Sequence, residues 1–452
     1  MAHDTTTAVA LPIDRPATAA LKRELGRWDL TAIGVNQVIG SAVFALPAAL
    51  AASAGAWSPW MVAAVGVASM LIALSFAEVA SRFEGTGGPY LYTRAAFGRF
   101  AAFEVGWMLW FTRAASWAAV ISVLVAAVGR YWPRVTSGAP RIVLLSSIIV
   151  LLAAINIRGI RQSSFVVNAL TIGKLAPLVV FIAAGTFYVD WSRLTADTSV
   201  SLASLSASGL LLVFAFGGYE VVPVVAGETR DPRRDVPFAL IMTIVTVTIV
   251  MTLVQIVALG TFPGLAQSKT PLADAAALFL GSAGAAMLTL GAVFSTSGNN
   301  MGQALSGSRN LFALAEQGDL PPFFGRVHAT YRTPVNAILV TSSVALVLAV
   351  SGTFQALAAA SAISRLVVYV ATCASTLRLR RIGAVNPPVF TLPFGPVIPV
   401  AAIVFALAIL AGASRLQLMS GTGALAAGAV LYLIAVKGRH TQAADPGSKG
   451  VD

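Results

Sequence analysis

Charge is scarce in this chain. Only 11% of its 452 residues are Asp, Glu, Lys or Arg. A soluble domain carries about 25%, so a water-facing globule is excluded. Cysteine is nearly absent: Cys373 is the one thiol, and no intrachain disulfide can form. Histidine occurs three times, at His3, His328 and His440, in tails or a loop. That scatter makes no ligand cluster and argues against a metal site. There is no Gly-Lys-Ser/Thr phosphate loop, which argues against ATP drive by this chain. No loop is long enough to hold a separate soluble domain. Residues 1–18 are polar and rich in Pro, Ala and Thr, with no apolar stretch before a cleavage site. They read as a disordered tail, not a signal peptide, and residues 441–452 read the same way.

What is there is apolar. Hydrophobic residues make up 57% of the chain, and the mean hydropathy is +0.82. Runs of about 20 apolar residues recur, each long enough to cross a bilayer core of roughly 30 Å. Twelve such spans are expected, near 30–53, 58–81, 101–129, 141–157, 164–188, 205–226, 237–261, 273–305, 335–351, 356–377, 393–413 and 420–436. The fold class is therefore an all-α polytopic membrane protein, since porin strands show short alternating segments instead. The net charge of +12 is topological. With the N-terminus inside, the inner segments carry 21 of the 30 Lys and Arg, the outer loops 6 and the spans three. That asymmetry puts both termini in the cytoplasm. It makes the bilayer the partner and nucleic acid no partner.

Two spans are interrupted by small residues in matching places. The first reads GVNQVIGSAVFALP, residues 34–47, and the second FAFGGYEVVPVVAGE, residues 214–228. Backbone groups freed in hydrocarbon cost several kcal/mol each unless something satisfies them. A pair of broken helices in corresponding halves points to a transporter's substrate site. Spans 1–5 (residues 29–190) and spans 6–10 (203–382) read as two copies of one plan. An odd helix count makes the second copy enter the membrane upside down. Spans 11 and 12 (393–437) fall outside the repeat. Residues 1–28 and 438–452 are the cytoplasmic tails.

Several stretches resemble the amino acid–polyamine–organocation superfamily of amino acid permeases. They are the first break, AEVASRFEGTGGPYLYTRAAFG (77–98), FAFGGYEVVPVVAGETRDPRRDVPFAL (214–240) and LFALAEQGDLPPFFGRV (311–327) followed by TPVNAI. The resemblance implies twelve transmembrane helices in the LeuT-type fold, a 5+5 inverted repeat with helices 1 and 6 broken. It also implies transport of amino acids or related amines across the cytoplasmic (inner) membrane, with no cofactor and no enzymatic step.

The first break, Ile39, Gly40, Ser41, Ala42 and Val43, is expected to bind a substrate carboxylate on the free N–H groups of the following half-helix. The family commonly shows Gly-Ser-Gly; the methyl of Ala42 hints at a tighter pocket. The second break, Phe214, Ala215, Phe216, Gly217 and Gly218, is expected to turn freed carbonyls toward the substrate ammonium. The resemblance puts an aromatic gate at Phe214. Lys174 in span 5 stands where sodium-coupled relatives bind sodium. It is either a proton carrier or a charged strut, and in both cases it argues against sodium. By motif position Asn299 faces it. Glu220 is either a protonatable switch or the partner of a buried arginine. Arg113 in span 3 either meets an acidic substrate group or pairs with Glu220, Glu78 or Glu104; Arg365 reads as scaffold. The stretch ETRDPRRDVP, residues 228–237, reads either as an inner gate with salt bridges or as a solvated loop. The leading reading is a secondary active amino acid transporter, with a proton as the candidate coupled ion and neutral substrates favoured. An exchanger or facilitator without ion coupling is the alternative; a non-transporting sensor is the third.

Overall fold

The structure is a computed structural model. It describes residues 21–444 apart from 41, 130–131, 196–200, 353, 384 and 414. Expectations for Ser41 therefore fall outside the described residues, as do those for the side chain of Phe214. Fourteen α-helices are described: α1 Arg27–Val38, α2 Ala42–Ala54, α3 Ser58–Ala80, α4 Pro89–Phe97, α5 Arg99–Gly129, α6 Gly138–Arg158, α7 Ile160–Gly185, α8 Leu202–Phe216, α9 Pro232–Thr261, α10 Pro271–Glu316, α11 Val335–Ser351, α12 Phe354–Ile382, α13 Val397–Ala411 and α14 Arg415–Ala444. No strand occurs among the described residues; Leu25 and Thr229 make one isolated bridge.

Among the described residues, seven helical segments are long and apolar enough to cross a membrane, and three apolar helices are shorter. Their outer faces carry unsheltered aliphatic and aromatic side chains, such as Val143, Val150 and Leu151 on α6 and Phe165, Ile172 and Val179 on α7. So much apolar surface marks a membrane-facing exterior. The chain is a polytopic membrane protein. α5 and α10 form the inner frame: α10 packs along both α5 and α7, and α12 along α5. α3 lies on α9, and α1 on α9 and α7. Trp117, Phe76, Phe216, Tyr219 and Phe181 fill the centre with almost no exposure.

Local chemistry sets the helix ends. The Asp29 carboxylate accepts the Gly26 N–H at 3.0 Å, capping α1. Gly88 takes φ +47°, a left-handed angle that glycine adopts without strain, and Pro89 then opens α4. Pro232 opens α9 in the same way.

Four boundaries differ most from the sequence reading. α14 continues as helix to Ala444, past the expected span end at 436 and through residues 441–444 expected to be disordered. α8 stays helical through Phe214, Ala215 and Phe216, so the second break narrows to Gly217 and Gly218. The chain then continues as a 3-10 helix, Tyr219–Glu228. Ala42 and Val43 lie inside α2, leaving Ile39 and Gly40 as the described unwound residues of the first break. α10 runs to Glu316 instead of ending near 305. Its polar run, Ser306, Ser308, Arg309 and Asn310, is buried in protein, so polarity there marks an inward face and not the end of a helix.

Candidate functional site

α1 ends at Val38 because Ile39 turns away, with φ −74° and ψ 76°. The freed carbonyls at this end point at one cation. Lys174 Nζ on α7 donates to the carbonyls of Ile39 at 2.7 Å and Asn36 at 3.0 Å, with Ser295 O on α10 at 3.4 Å. Ser295 Oγ also donates to Ile39 O at 2.9 Å. Lys174 is fully buried, and the groups that accept its hydrogen bonds are carbonyls, not carboxylates. The α10 partner is Ser295; Asn299, expected to face Lys174, sits one turn on. Its Nδ2 donates to Gln37 O at 3.0 Å, and Gln37 Nε2 returns a bond to Asn299 O at 3.1 Å. The reason is spacing. Ser295 and Asn299 are four apart and share a helix face, so a small tilt decides which of them meets the lysine.

The second break is built on the opposite charge. Gly218 holds φ +134°, and its N–H donates to Glu220 Oε2 at 2.8 Å. Tyr369 OH on α12 donates to the same oxygen at 2.8 Å. Arg113 on α5 pairs with Glu220 Oε1, and Arg365 Nε on α12 lies 2.9 Å from it. Of the sequence alternatives for Arg113, Glu220 is the partner in this structure. Glu78 belongs to Arg380, whose Nε donates at 2.6 Å. Arg365 also lies over Gly217: a Cβ there would sit 2.2 Å from its guanidinium. Tyr219 stacks on Tyr369 with ring centroids 5.4 Å apart.

The two breaks touch. A Cβ on Gly218 would stand 2.8 Å from the Gln37 carbonyl. Polar side chains on α10 also join them. Asn299 Oδ1 accepts from Gln303 Nε2 at 3.3 Å, and Gln303 Oε1 accepts from Arg113 at 3.1 Å. A chain of polar contacts thus runs from the α1 carbonyls through Asn299, Gln303 and Arg113 to Glu220. Sequence reasoning missed Asn36, Gln37, Gln303 and Tyr369. The Asn-Gln pair two residues before the break was the available signal, since polar side chains inside an apolar span need partners.

Below the second break lies a buried ion pair. Arg309 holds both oxygens of Glu228 at 2.9 Å. The main chain of Glu24 and Leu25 donates to Glu228 O at 2.9 and 3.0 Å, and Arg230 N returns a bond to Leu25 O. Asp319 receives Arg94 at 2.9 Å, Arg99 at 2.8 Å and Tyr90 OH at 2.6 Å. The ETRDPRRDVP stretch is thus partly buried structure: Glu228 and Asp235 face inward, while Arg230 and Asp231 face out.

Helices interrupted at midspan, touching backbone breaks and buried charges on them define a membrane transporter, not an enzyme. Residues 25–436 match the model of the Amino acid permease family, and the chain belongs to that family. It is 27% identical over 437 residues to the branched-chain amino acid permease BcaP of Bacillus subtilis, covering 92% of this chain and 93% of that protein. It is 27% identical over 402 residues to the serine/threonine exchanger SteT of the same organism, covering 85% and 89%. A methylthioribose transporter of that organism is 26% identical over 398 residues, covering 84% and 86%.

Proposed function

We propose that this protein carries amino acids across the cytoplasmic membrane by alternating access. In this reading it has twelve spans, a LeuT-type pair of inverted repeats at residues 29–190 and 203–382, two further spans at 393–437, and both termini in the cytoplasm. The observation that carries the reading is the contact between the two breaks, with Gly218 against Gln37. Unwound backbone at the midplane is tolerated where a substrate or a buried partner completes it. Substrate enters between α1–α2 and α8, its carboxylate toward Gly40 and the start of α2, and its ammonium toward the carbonyl end of α8 at Phe216 and Gly217. Phe214 is the gate in this scheme.

Lys174 fills the place of a bound cation, so transport is independent of sodium. Its partners are carbonyl dipoles, whereas Glu220 is held by two guanidiniums and a tyrosine. Proton exchange therefore falls to Lys174, and Glu220 stays ionised as the anchor of the second break. Because Glu220 is fully engaged, it offers nothing to a cationic side chain, and neutral amino acids are the substrates. The relatives include one named a permease and one named an exchanger, so both net uptake and exchange enter the test.

Uptake of labelled neutral amino acids into proteoliposomes, with and without an inward proton gradient, separates the alternatives. Gradient-driven accumulation that is lost in Lys174→Ala supports proton symport. Uptake indifferent to the gradient but stimulated by internal substrate means exchange; uptake indifferent to both means facilitation. Ligand binding without any uptake would sink the transporter reading in favour of a sensor.

A further inference from the structure

Three segments far apart in sequence meet around a second cavity, away from the transport site. They are the approach to α1, the corner between α6 and α7, and the loop before α11. The cavity holds about 200 Å³ and is lined by Lys22, Glu24, Arg158, Arg161, Gln162 and Arg332, among others. Four cations thus face one carboxylate, and Glu24 is already paired with Lys22. Among the described residues, no salt bridge engages Arg158, Arg161 or Arg332. Lys22, Arg158 and Arg161 are exposed and Arg332 is half-buried, so water screens their repulsion, and an anion entering the hollow meets several guanidiniums at once.

The local fold brings them together. Gly159, at φ +135°, turns the chain sharply between Arg158, the last residue of α6, and Ile160, the first of α7. Both arginines then flank the same hollow. Arg332 reaches it from a backbone at φ +56°, which a non-glycine residue rarely adopts. A hydrogen bond from Arg332 N to His328 O at 2.9 Å and one from Thr333 Oγ1 to Ile157 O at 2.8 Å fix that loop against the α6 end.

We propose that this cavity binds a phosphate-bearing anion. Planar guanidiniums match phosphate oxygens in pairs. The anion is either the headgroup of an acidic lipid at the cytoplasmic face or free phosphate; the recognising chemistry is the same. Its position gives it a regulatory role. Lys22 stands two and three residues before Glu24 and Leu25, whose main chain is bonded to Glu228 beyond the second break. An anion joining Lys22 to Arg158, Arg161 and Arg332 fastens that strap to the α6–α7 corner and stabilises the closed inner end. The cytoplasmic assignment of this face rests on the topology proposed above, whereas binding is measured without reference to transport.

The test uses the purified full-length chain. Thermal unfolding is recorded in detergent with added inorganic phosphate against chloride at matched ionic strength, which removes general screening. It is also recorded in nanodiscs of phosphatidylcholine with and without phosphatidylglycerol. The variants are Arg332→Gly, which relieves the left-handed backbone and so preserves folding, and the double variant Arg158→Gln with Arg161→Gln. Phosphate is expected to raise the midpoint of the parent chain, and each guanidinium removed to weaken that response about fivefold. A shift with phosphate assigns the site to a free anion; a shift with phosphatidylglycerol alone assigns it to a lipid headgroup. The proposal is overturned if neither probe shifts the parent chain, or if the shift survives in both variants.

Discussion

The two breaks are completed by opposite charges, held in different ways. At the first, a lone ammonium meets three carbonyl oxygens. At the second, a carboxylate accepts one main-chain N–H and one tyrosine hydroxyl and lies between two guanidiniums. Dipoles can lose a proton from their partner and be re-satisfied by water or substrate. A carboxylate clamped by two arginines has no such freedom, because removing one ion leaves its partners bare. In the proposed function the first break is the end that changes and the second the end that stays. The backbone agrees: the second break is crowded, with projected Cβ distances of 2.2 Å at Gly217 and 2.8 Å at Gly218, against 3.2 Å at Gly40.

Four tests follow, three on this contrast and one outside it. The largest effect is expected from Glu220→Gln, which strands two buried guanidiniums and costs about 3–5 kcal/mol. Thermal unfolding and the yield of folded protein read it. Adding Arg113→Gln should restore part of the loss, and no restoration would mean that the pair is not coupled. Next comes Gly218→Ala, where a methyl meets the Gln37 carbonyl at a left-handed backbone position. A cost of about 1–3 kcal/mol is expected, whereas Gly40→Ala, facing only the Asn299 amide, should cost under about 1 kcal/mol. Equal costs at the two glycines would erase the asymmetry.

Lys174→Met comes third. It leaves the Ile39 and Asn36 carbonyls short of a donor, for about 1–2 kcal/mol of stability. Its sharper reading is functional: uptake should no longer respond to a proton gradient, while the fold survives. A pH-responsive Lys174→Met protein would move the proton site elsewhere. The last test lies outside both breaks, at Tyr90. Burial first, and then the Asp319 carboxylate beside it, push the Tyr90 hydroxyl well above the usual tyrosine range. A group held protonated in the fold contributes stability that is full below the ordinary tyrosine range and lost as pH rises from that range through the raised value. Tyr90→Phe should cost about 1 kcal/mol at neutral pH and flatten the alkaline limb of the stability curve. An unchanged alkaline limb would exclude Tyr90 as its source.

Much of this was legible in the residue order, because it depends on neighbours along the chain. Apolar run length marked the helices, and α11 matches its predicted span, 335–351, end for end. Glycine clusters located both breaks. They overstated the second, since Phe214 to Phe216 are good enough helix formers to carry α8 up to the paired glycines. The end of α10 was misplaced because buried polar residues look like solvent-facing ones in a sequence.

The sequence by itself determined that this is a membrane protein built from helices, that two of its spans are interrupted, and that a lysine and an arginine lie within the bilayer region. Those are properties of composition and local pattern. Tertiary structure decided who meets whom. It chose Glu220 over Glu78 and Glu104 for Arg113, and Ser295 over Asn299 for Lys174. It also linked Gln37 to Arg113 through Asn299 and Gln303. Lys174 lies 138 residues from Asn36, and Arg113 lies 107 from Glu220. No helical or strand period spans such separations. They are fixed by how α5, α7 and α12 pack around the breaks, because burying a charged group is costly unless polar partners meet it.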